Sequence, residues 1–135
     1  MSAGFLDTNV LLYGFTADDH RQPEAMRLIR AGCVISVQCL NECAFVARRK
    51  LRMTWAEIAD PLAIIVQLSR PVMPVTIDLH RLGIHLAERY TLSVYDGMIA
   101  AAAVIAGCDI LYSEDMHHGL FIDGRVRIVN PFAPA

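Results

Sequence analysis

The sequence predicts an α/β domain with a mostly parallel central sheet of about five strands and helices on both faces. Short apolar segments alternate along the chain with longer segments of helical character, which is the order that builds parallel sheets. Hydrophobic residues make up 55% of the 135 residues, and the mean hydropathy is +0.40, as expected where a sheet is buried on both faces. No repeat or linker divides the sequence, so residues 1–135 are expected to form a single domain.

Five short apolar segments predict the strands. They are AGFL, CVIS, VMPV, ILYS and VRIV, which begin at residues 3, 33, 72, 110 and 126. Pro74 in the third segment has no backbone N–H to donate, which favours an edge strand or a strand end at that place.

The first helices are predicted between these segments. A short helical turn follows DTN, and residues 20–32 predict a helix that ends at Gly32. The next helix spans roughly residues 37 to 52, with Ser36 as its N-cap. Apolar residues three or four apart predict its core stripe, which comprises Val37, Leu40, Ala44, Ala47 and Leu51.

Three further helices follow in the second half of the chain. The sequence TWAE, residues 54–57, is a capping-box pattern that opens the first of them, and Pro61 is expected to break or restart it. Residues 76–90 predict the second helix. The sequence SVYD opens the third, which is rich in alanine and ends near Gly107.

The composition excludes several classes of protein. The longest apolar run, residues 97–108, falls short of the ~18–20 residues that a membrane span needs, and no secretory signal is visible. The four cysteines form no CxxC pair, which disfavours a zinc site and favours free thiols in a reducing cytoplasm. A formal net charge of -2 argues against a protein that coats nucleic acid.

One basic cluster remains as a candidate nucleic-acid contact. Lys50 is the only lysine, so nearly all of the positive charge is carried by arginine, whose planar fork suits phosphate. Arg48, Arg49 and Arg52 are therefore candidate phosphate contacts, and the alternative is a solvated helix end.

Four acidic residues are expected to meet at one edge of the sheet. Asp7 and Asp115 follow the first and fourth strands, Asp96 opens the alanine-rich helix, and Glu42 lies about half a turn from the core stripe of its helix. Ligands bind at the carboxyl ends of the strands in such sheets. Each acid alone has an ordinary interpretation, as a turn, cap, helix-surface or loop residue.

Taken together, the four acids predict a cation site. Carboxylates held close together repel one another unless a cation intervenes. Mg²⁺ takes one or two carboxylates, keeps water molecules and shares phosphate oxygens with its substrate. Such a site activates water for attack on a phosphodiester.

The motifs around these acids resemble the PIN-domain family of ribonucleases, particularly the VapC toxins of VapBC toxin–antitoxin systems. The resemblance runs from Phe5 to about Pro131 and rests on LDTNVLLY, LNE (residues 40–42), YDGMIAAAA and GCDILYSEDMHHG. It implies a PIN-like three-layer α/β/α domain with metal-dependent endoribonuclease activity on RNA. It also implies a homodimer and a small antitoxin as partner. Gly97 stands where relatives commonly carry alanine.

The resemblance also implies roles for individual residues. Asp7, Glu42, Asp96 and Asp115 match the catalytic acids that hold Mg²⁺ or Mn²⁺ in that family, and Thr8, Asn9 and Ser113 match supporting polar groups. In the sequence SED either Glu114 or Asp115 could face the metal. We prefer Asp115, which fits the family's Ser/Thr-x-Asp pattern.

Alternative functions differ in what they require of the same residues. A haloacid-dehalogenase-type phosphatase needs a second acid two positions after Asp7, where this chain has Asn9, and a receiver domain needs a lysine after a late strand. A PIN nuclease of RNA processing or maturation without a toxin role remains open, as does a non-catalytic PIN-like binding module. The histidine pair His117–His118 is interpreted as a surface feature.

Overall fold

The computed structural model describes residues 4–134 and contains six helices and six strands within that range. The helices are α1 (Thr8–Phe15), α2 (Gln22–Arg30), α3 (Val37–Arg49), α4 (Trp55–Leu68), α5 (Ile77–Tyr90) and α6 (Val94–Ile105). The strands are β1 (Phe5–Leu6), β2 (Ile35–Ser36), β3 (Val72–Met73), β4 (Ile110–Tyr112), β5 (Phe121–Ile122) and β6 (Val126–Val129). Ala3 of the predicted first strand lies outside the described residues.

The strands form a mostly parallel sheet, which confirms the predicted fold class. Four strands are ordered β1-β4-β6-β5, and β2 pairs with β3 in a second sheet. A parallel bridge between Phe5 and Val34 joins the two, with Leu6 N donating to Val34 O at 3.0 Å. The pairing is parallel except between β5 and β6. β3 is bonded only to β2 and ends just before Pro74, in agreement with the edge or strand end that this proline predicts.

The sequence analysis missed strand β5, which pairs antiparallel with β6. Residues Phe121–Ile122 are too few to show an alternating pattern, and their pairing depends on the turn before β6. Asp123 and Gly124 occupy that turn with positive φ angles of 50° and 64°.

The predicted break at Pro61 is wrong, because α4 continues through that residue. A proline inside a helix removes one backbone donor. A capping box stabilises the N-terminus of the helix: the Thr54 hydroxyl accepts from Glu57 N, and the Glu57 carboxylate accepts from Thr54 N. Ile58 and Ile65, on either side of Pro61, are buried and fix the helix to the core.

The predicted core stripe of α3 is confirmed at Ala47, which is fully buried, but is wrong at its two ends. Val37 and Leu51 are 36% and 41% exposed, and the helix ends at Arg49 rather than near residue 52. Its buried side chains are Cys39, Cys43 and Ala47, spaced four apart. Small residues on this face let α3 lie close to the first strand. The Ser36 N-cap is confirmed, since its hydroxyl accepts from Cys39 N at 3.3 Å.

Helices α5 and α6 pack closely against each other and contribute buried residues to the core. Ala100–Ala103 of α6 are fully buried, and Gly97 lies directly against the backbone of α5. A Cβ atom at Gly97 would collide with the Gly83 carbonyl oxygen and lie 2.9 Å from Ala87 Cβ. Gly97 therefore permits the approach of the two helices. No helix within residues 4–134 is long and apolar enough to cross a membrane.

We expect Gly97→Ala to destabilise the protein by about 1–2 kcal/mol. Overpacking against backbone atoms costs roughly 1–3 kcal/mol, more than the ~1 kcal/mol that alanine gains over glycine in a helix. Urea unfolding measures the change.

Gly14→Ala in α1 is the matched control, because its added methyl group would meet only the Ile29 Cδ1 and Met26 Sδ atoms of flexible side chains. We expect it to lose less stability than Gly97→Ala. Equal or greater stability of Gly97→Ala relative to wild type would contradict the packing argument.

Candidate metal centre

Asp7 lies at the junction of β1 and α1 and is almost fully buried, with 3% exposure. It is the N-cap of α1, and its Oδ1 accepts from Thr8 N at 2.7 Å. Its Oδ2 accepts from Ser113 Oγ at 2.7 Å and from Asn9 Nδ2 at 3.2 Å. Both carboxylate oxygens are therefore oriented by neutral donors.

Asn9 joins this carboxylate to the loop after β4. Besides Asp7, its Nδ2 lies 3.2 Å from Asp115 Oδ2 and 3.5 Å from Ser113 Oγ. Its Oδ1 accepts from Glu114 N at 3.2 Å. A single amide thus connects the first turn of α1 with three consecutive residues that follow a neighbouring strand.

Glu42 reaches the same region from α3. Its carboxylate accepts from Thr8 Oγ1 at 3.1 Å and is half-buried beside the Cys39–Cys43 stripe. The thiols of that stripe donate to carbonyl groups on either side of Asp7, from Cys39 to Leu6 O at 3.6 Å and from Cys43 to Thr8 O at 3.7 Å. Glu42 therefore borders the buried face rather than lying half a turn from it.

Asp96 lies in the first turn of α6 and is half-buried. The Ser93 hydroxyl caps the helix by accepting from Asp96 N at 3.1 Å. The Ser-x-x-Asp pattern therefore forms a helix cap while the Asp96 side chain lines the cavity described below.

The two adjacent acids Glu114 and Asp115 have different partners. Glu114 accepts from Tyr13 Oη and from Arg21 Nη1, the latter at 2.8 Å. Asp115 lies beside Asn9 and lines the cavity, whereas Glu114 does not. Asp115 thus lies with the other carboxylates at the cavity, whereas Glu114 is paired with the Arg21 guanidinium.

One open cavity of about 1000 Å³ contains all four predicted acids. Thr8 and Asn9 also line it, and Ser113 lies behind Asp7, fully buried. The sequence analysis missed other polar and aromatic lining residues, among them a fifth acid: Tyr13, Thr16, Asp19, Gln38, Asn41, Phe45, Lys50 and Tyr95. Helical spacing could have found Gln38, Asn41 and Phe45, which lie three and four residues apart around Glu42.

Burial and mutual repulsion raise the pKa values of Asp7, Glu42 and Asp96. Burial raises the pKa of Asp7 to about 7, repulsion from Asp96 and Glu42 adds to the rise, and the Ser113 and Thr8 hydrogen bonds oppose it. Burial, followed by repulsion from Asp96, raises the pKa of Glu42. Burial, followed by repulsion from Asp115, raises the pKa of Asp96. Asp7, Glu42 and Asp96 therefore interact electrostatically with neighbouring carboxylates of the cavity.

The donor set fits a hard divalent cation. Mg²⁺ binds through one or two carboxylates and several water molecules, and a buried carboxylate with a raised pKa gains most from an added positive charge. Among residues 4–134, no group of three or more acidic, histidine or cysteine side chains already forms an arrangement that could hold an ion. A cation bound here would take its ligands from these four carboxylates and from water.

The arginines proposed as phosphate contacts lie beside the cavity rather than in it. Arg48 lies 4.4 Å from the Trp55 ring centroid, and Arg49 lies 5.8 Å from that of Phe45. Arg52 follows α3 with a positive φ of 54°. Within the described residues Lys50 is the basic side chain that lines the cavity. His118, which is exposed, accepts from Asn130 N at 2.9 Å, as suits a surface feature.

Comparison with protein families identifies a match over most of the chain. The family model described as PIN domain matches residues 4–118, a range that contains all four acids. A comparison with curated protein sequences finds no significant match.

Solved structures of VapC toxins and of toxin–antitoxin complexes share the fold. The VapC20 toxin of Mycobacterium tuberculosis, described as cleaving the sarcin–ricin loop, matches with a TM-score of 0.68 and 25% identity over 84% of this chain and 90% of that chain. A toxin–antitoxin complex from Klebsiella pneumoniae matches with a TM-score of 0.70 and 21% identity, over 96% of this chain and 98% of that chain. VapBC2 from Rickettsia felis, bound to a promoter DNA fragment, matches with a TM-score of 0.66 and 16% identity, over 94% of this chain and 98% of that chain.

We expect Asp7→Asn to remove a pH-dependent loss of stability when divalent cations are absent. The pKa of Asp7 in the folded state, about 7, lies above its ordinary value of 3.8. The associated stabilisation is therefore complete below pH 3.8 and is lost as the pH rises towards 7. Between pH 5 and pH 8 this loss amounts to about 3 kcal/mol.

Urea unfolding in EDTA at both pH values measures the effect. The wild type should lose more stability than Asp7→Asn on going from pH 5 to pH 8. Asp60→Asn, a change at an exposed residue of α4, should follow the wild type. Parallel pH profiles for wild type and Asp7→Asn would show that Asp7 does not titrate as described.

Proposed function

The chain belongs to the PIN-domain family, and on this premise we propose that it is a metal-dependent endoribonuclease that hydrolyses RNA phosphodiester bonds. We further propose that it acts as the toxin of a type II toxin–antitoxin system. The observation that carries the proposal is the convergence of Asp7, Glu42, Asp96 and Asp115 from four segments on one cavity. The raised pKa of Asp7 supports cation binding there.

Asp7 is the central ligand for Mg²⁺ or Mn²⁺ in this proposal, assisted by Asp96 and Asp115. Glu42 binds through water or holds a second ion. When bound, such a cation lowers the pKa of a water molecule and neutralises charge that develops on the phosphate.

The polar residues around Asp7 fix the geometry of the carboxylates. Ser113 and the Thr8 backbone hold the two oxygens of Asp7 at 2.7 Å each. The Thr8 hydroxyl holds Glu42, and Asn9 spans Asp7 and Asp115. Partners that orient ligands typically change metal affinity or activity 10- to 100-fold when removed, so Thr8, Asn9 and Ser113 are supporting residues.

The cavity is large enough for nucleotides, and its rim offers suitable contacts. A volume of about 1000 Å³ is at the upper end of small-ligand sites. Lys50 supplies a positive charge for a phosphate, and the exposed rings of Phe45 and Tyr95 can stack with bases. Arg48, Arg49 and Arg52 would extend the phosphate contacts beyond the cavity. The sarcin–ricin-loop cleavage ascribed to the similar VapC20 toxin supports RNA as the substrate class.

The proposed partners follow from the toxin assignment. Toxin–antitoxin complexes from Klebsiella pneumoniae and Rickettsia felis share the fold, which supports a small cognate antitoxin. We also propose a homodimer and a single domain over residues 1–135. Four buried free cysteines support a reducing compartment, the cytoplasm.

Two other functions use the same fold. A PIN nuclease of RNA processing or maturation would share the cleavage chemistry without arresting growth. A non-catalytic binding module would lack cleavage altogether, although the grouped carboxylates then raise the cost of folding without a chemical use.

We expect the purified chain to cleave RNA from a mixed panel with Mg²⁺ or Mn²⁺ and to be inactive in EDTA. Asp7→Asn and Asp96→Asn should each lose at least about 100-fold in rate, because both remove a carboxylate from the proposed cation site. Products with a 5′-phosphate and a 3′-hydroxyl would show that hydrolysis breaks the bond between phosphorus and the 3′ oxygen. Gel analysis of end-labelled RNA gives both results.

Asp60→Asn, purified in the same way, is the matched control, because this exposed aspartate of α4 lies outside the cavity. It should cleave as the wild type does. Equal cleavage by wild type and both site variants would reveal a contaminating ribonuclease and contradict the proposed site.

Expression of the wild-type chain in a bacterial host should arrest growth, whereas expression of Asp7→Asn at the same level should not. Co-expression of a short neighbouring reading frame with a DNA-binding N-terminus should restore growth by neutralising the toxin. Growth curves with immunoblots of both proteins measure this. Metal-dependent cleavage in vitro without growth arrest would favour the processing function.

A further inference from the structure

A cluster of four polar side chains, Tyr13, Asp19, Arg21 and Glu114, lies next to the candidate metal centre and is called the Arg21 cluster below. Arg21 Nε and Nη2 donate to the two oxygens of Asp19 at 2.8 and 2.7 Å. Its Nη1 donates to Glu114 Oε1 at 2.8 Å, and Tyr13 Oη donates to the same oxygen. The guanidinium lies 3.7 Å from the centroid of the Tyr13 ring.

The cluster is only partly open to solvent. The side chains of Arg21 and Glu114 are each 25% exposed, and that of Asp19 is 14% exposed. Water and salt screen such ion pairs less than surface pairs, and bidentate geometry adds specificity. Arg21 therefore holds both carboxylates firmly.

The Arg21 cluster restrains the loop that carries Asp115. Glu114 directly precedes Asp115, and its backbone N–H donates to Asn9 Oδ1 at 3.2 Å. The Asn9 amide in turn lies 3.2 Å from Asp115 Oδ2. The loop is thus held at the Glu114 side chain by Arg21 and Tyr13, and at its main chain by Asn9.

We propose that Arg21 is a positioning residue that selects which of two adjacent acids faces the cation. By holding Glu114 against Tyr13, it keeps the Glu114 charge out of the cavity and directs Asp115 into it. The proposal rests on the proposed function insofar as Asp115 serves a cation. The cavity lining supports it, because Asp115 contributes to that lining and Glu114 does not.

The geometry requires arginine rather than a positive charge alone. One planar guanidinium binds Asp19 through two donors, binds Glu114 through a third and stacks on Tyr13. A lysine ammonium cannot make the bidentate contact and stack at once. Arg21→Lys therefore tests positioning separately from charge.

Isothermal titration of metal-free protein with Mn²⁺ tests the effect on the cation site. Arg21→Met and Arg21→Lys should weaken Mn²⁺ binding roughly 10- to 100-fold, the range seen when partners that orient ligands are removed. Arg27→Met is the matched control, because Arg27 lies in α2, which Arg21 directly precedes, and pairs with Glu24 at the surface. It should bind as the wild type does.

Glu114→Gln distinguishes positioning from direct ligation. Glutamine keeps an oxygen acceptor for Tyr13 and Arg21, so Mn²⁺ affinity should change much less than in Asp115→Asn. Wild-type affinity in Arg21→Met, or a loss in Glu114→Gln as large as that in Asp115→Asn, would overturn the proposal.

Amide hydrogen exchange in EDTA tests positioning without metal or activity. Release of Glu114 should free its backbone N–H from Asn9, so exchange at Glu114 should rise at least about tenfold in Arg21→Met and stay unchanged in Arg27→Met. Unchanged exchange in Arg21→Met overturns the proposal. If the wild type binds no Mn²⁺, the proposed function fails, and the exchange result still decides the positioning role.

Discussion

The structure depends on keeping the carboxylate of Asp7 inside the protein. Strand β1 ends at Leu6 and delivers Asp7 to a position with 3% exposure, where its partners Thr8, Asn9 and Ser113 are neutral donors. None of the salt bridges within residues 4–134 involves it. Burying a charge without a cationic partner is costly, so the group takes up a proton instead, and its pKa rises to about 7. The arrangement that disfavours the charged form is also the one that an added cation would stabilise.

Small residues allow other helices to reach this carboxylate. On α3 the buried side chains are Cys39, Cys43 and Ala47, and the two thiols bind the main chain on either side of Asp7. On α6 Gly97 lies directly against the backbone of α5, and the preceding residue, Asp96, lines the cavity. Bulkier residues on these faces would move the helices outward, and Glu42 and Asp96 would move with them. The packing of these helices in the core therefore also sets the positions of the carboxylates at the cavity.

Local sequence patterns predicted the parts of the structure that depend on local interactions. The Ser36, Thr54 and Ser93 caps follow from short-range chemistry, and the meeting of the acids follows from the rule that parallel strands share a carboxyl edge. The buried face of α3 was missed because cysteine, which packs as a small apolar residue, was not counted among the apolar residues of the stripe. The Arg21 cluster could not be predicted, since Arg21 and Glu114 are 93 residues apart and meet only in the folded chain.

Two neighbouring groups of acids differ in their partners among the described residues. Asp19 and Glu114 are both paired with the Arg21 guanidinium. Asp7, Glu42, Asp96 and Asp115 line one cavity, as does Asp19. Lys50 also lines this cavity, yet no ion pair within residues 4–134 joins Lys50 to the first four acids. If the acids served stability alone, a second arginine or apolar replacements would remove the cost of their repulsion. Functional sites commonly retain such costs because the unfavourable arrangement is what binds the ligand. The grouping of these carboxylates on one cavity therefore supports the divalent-cation site proposed above.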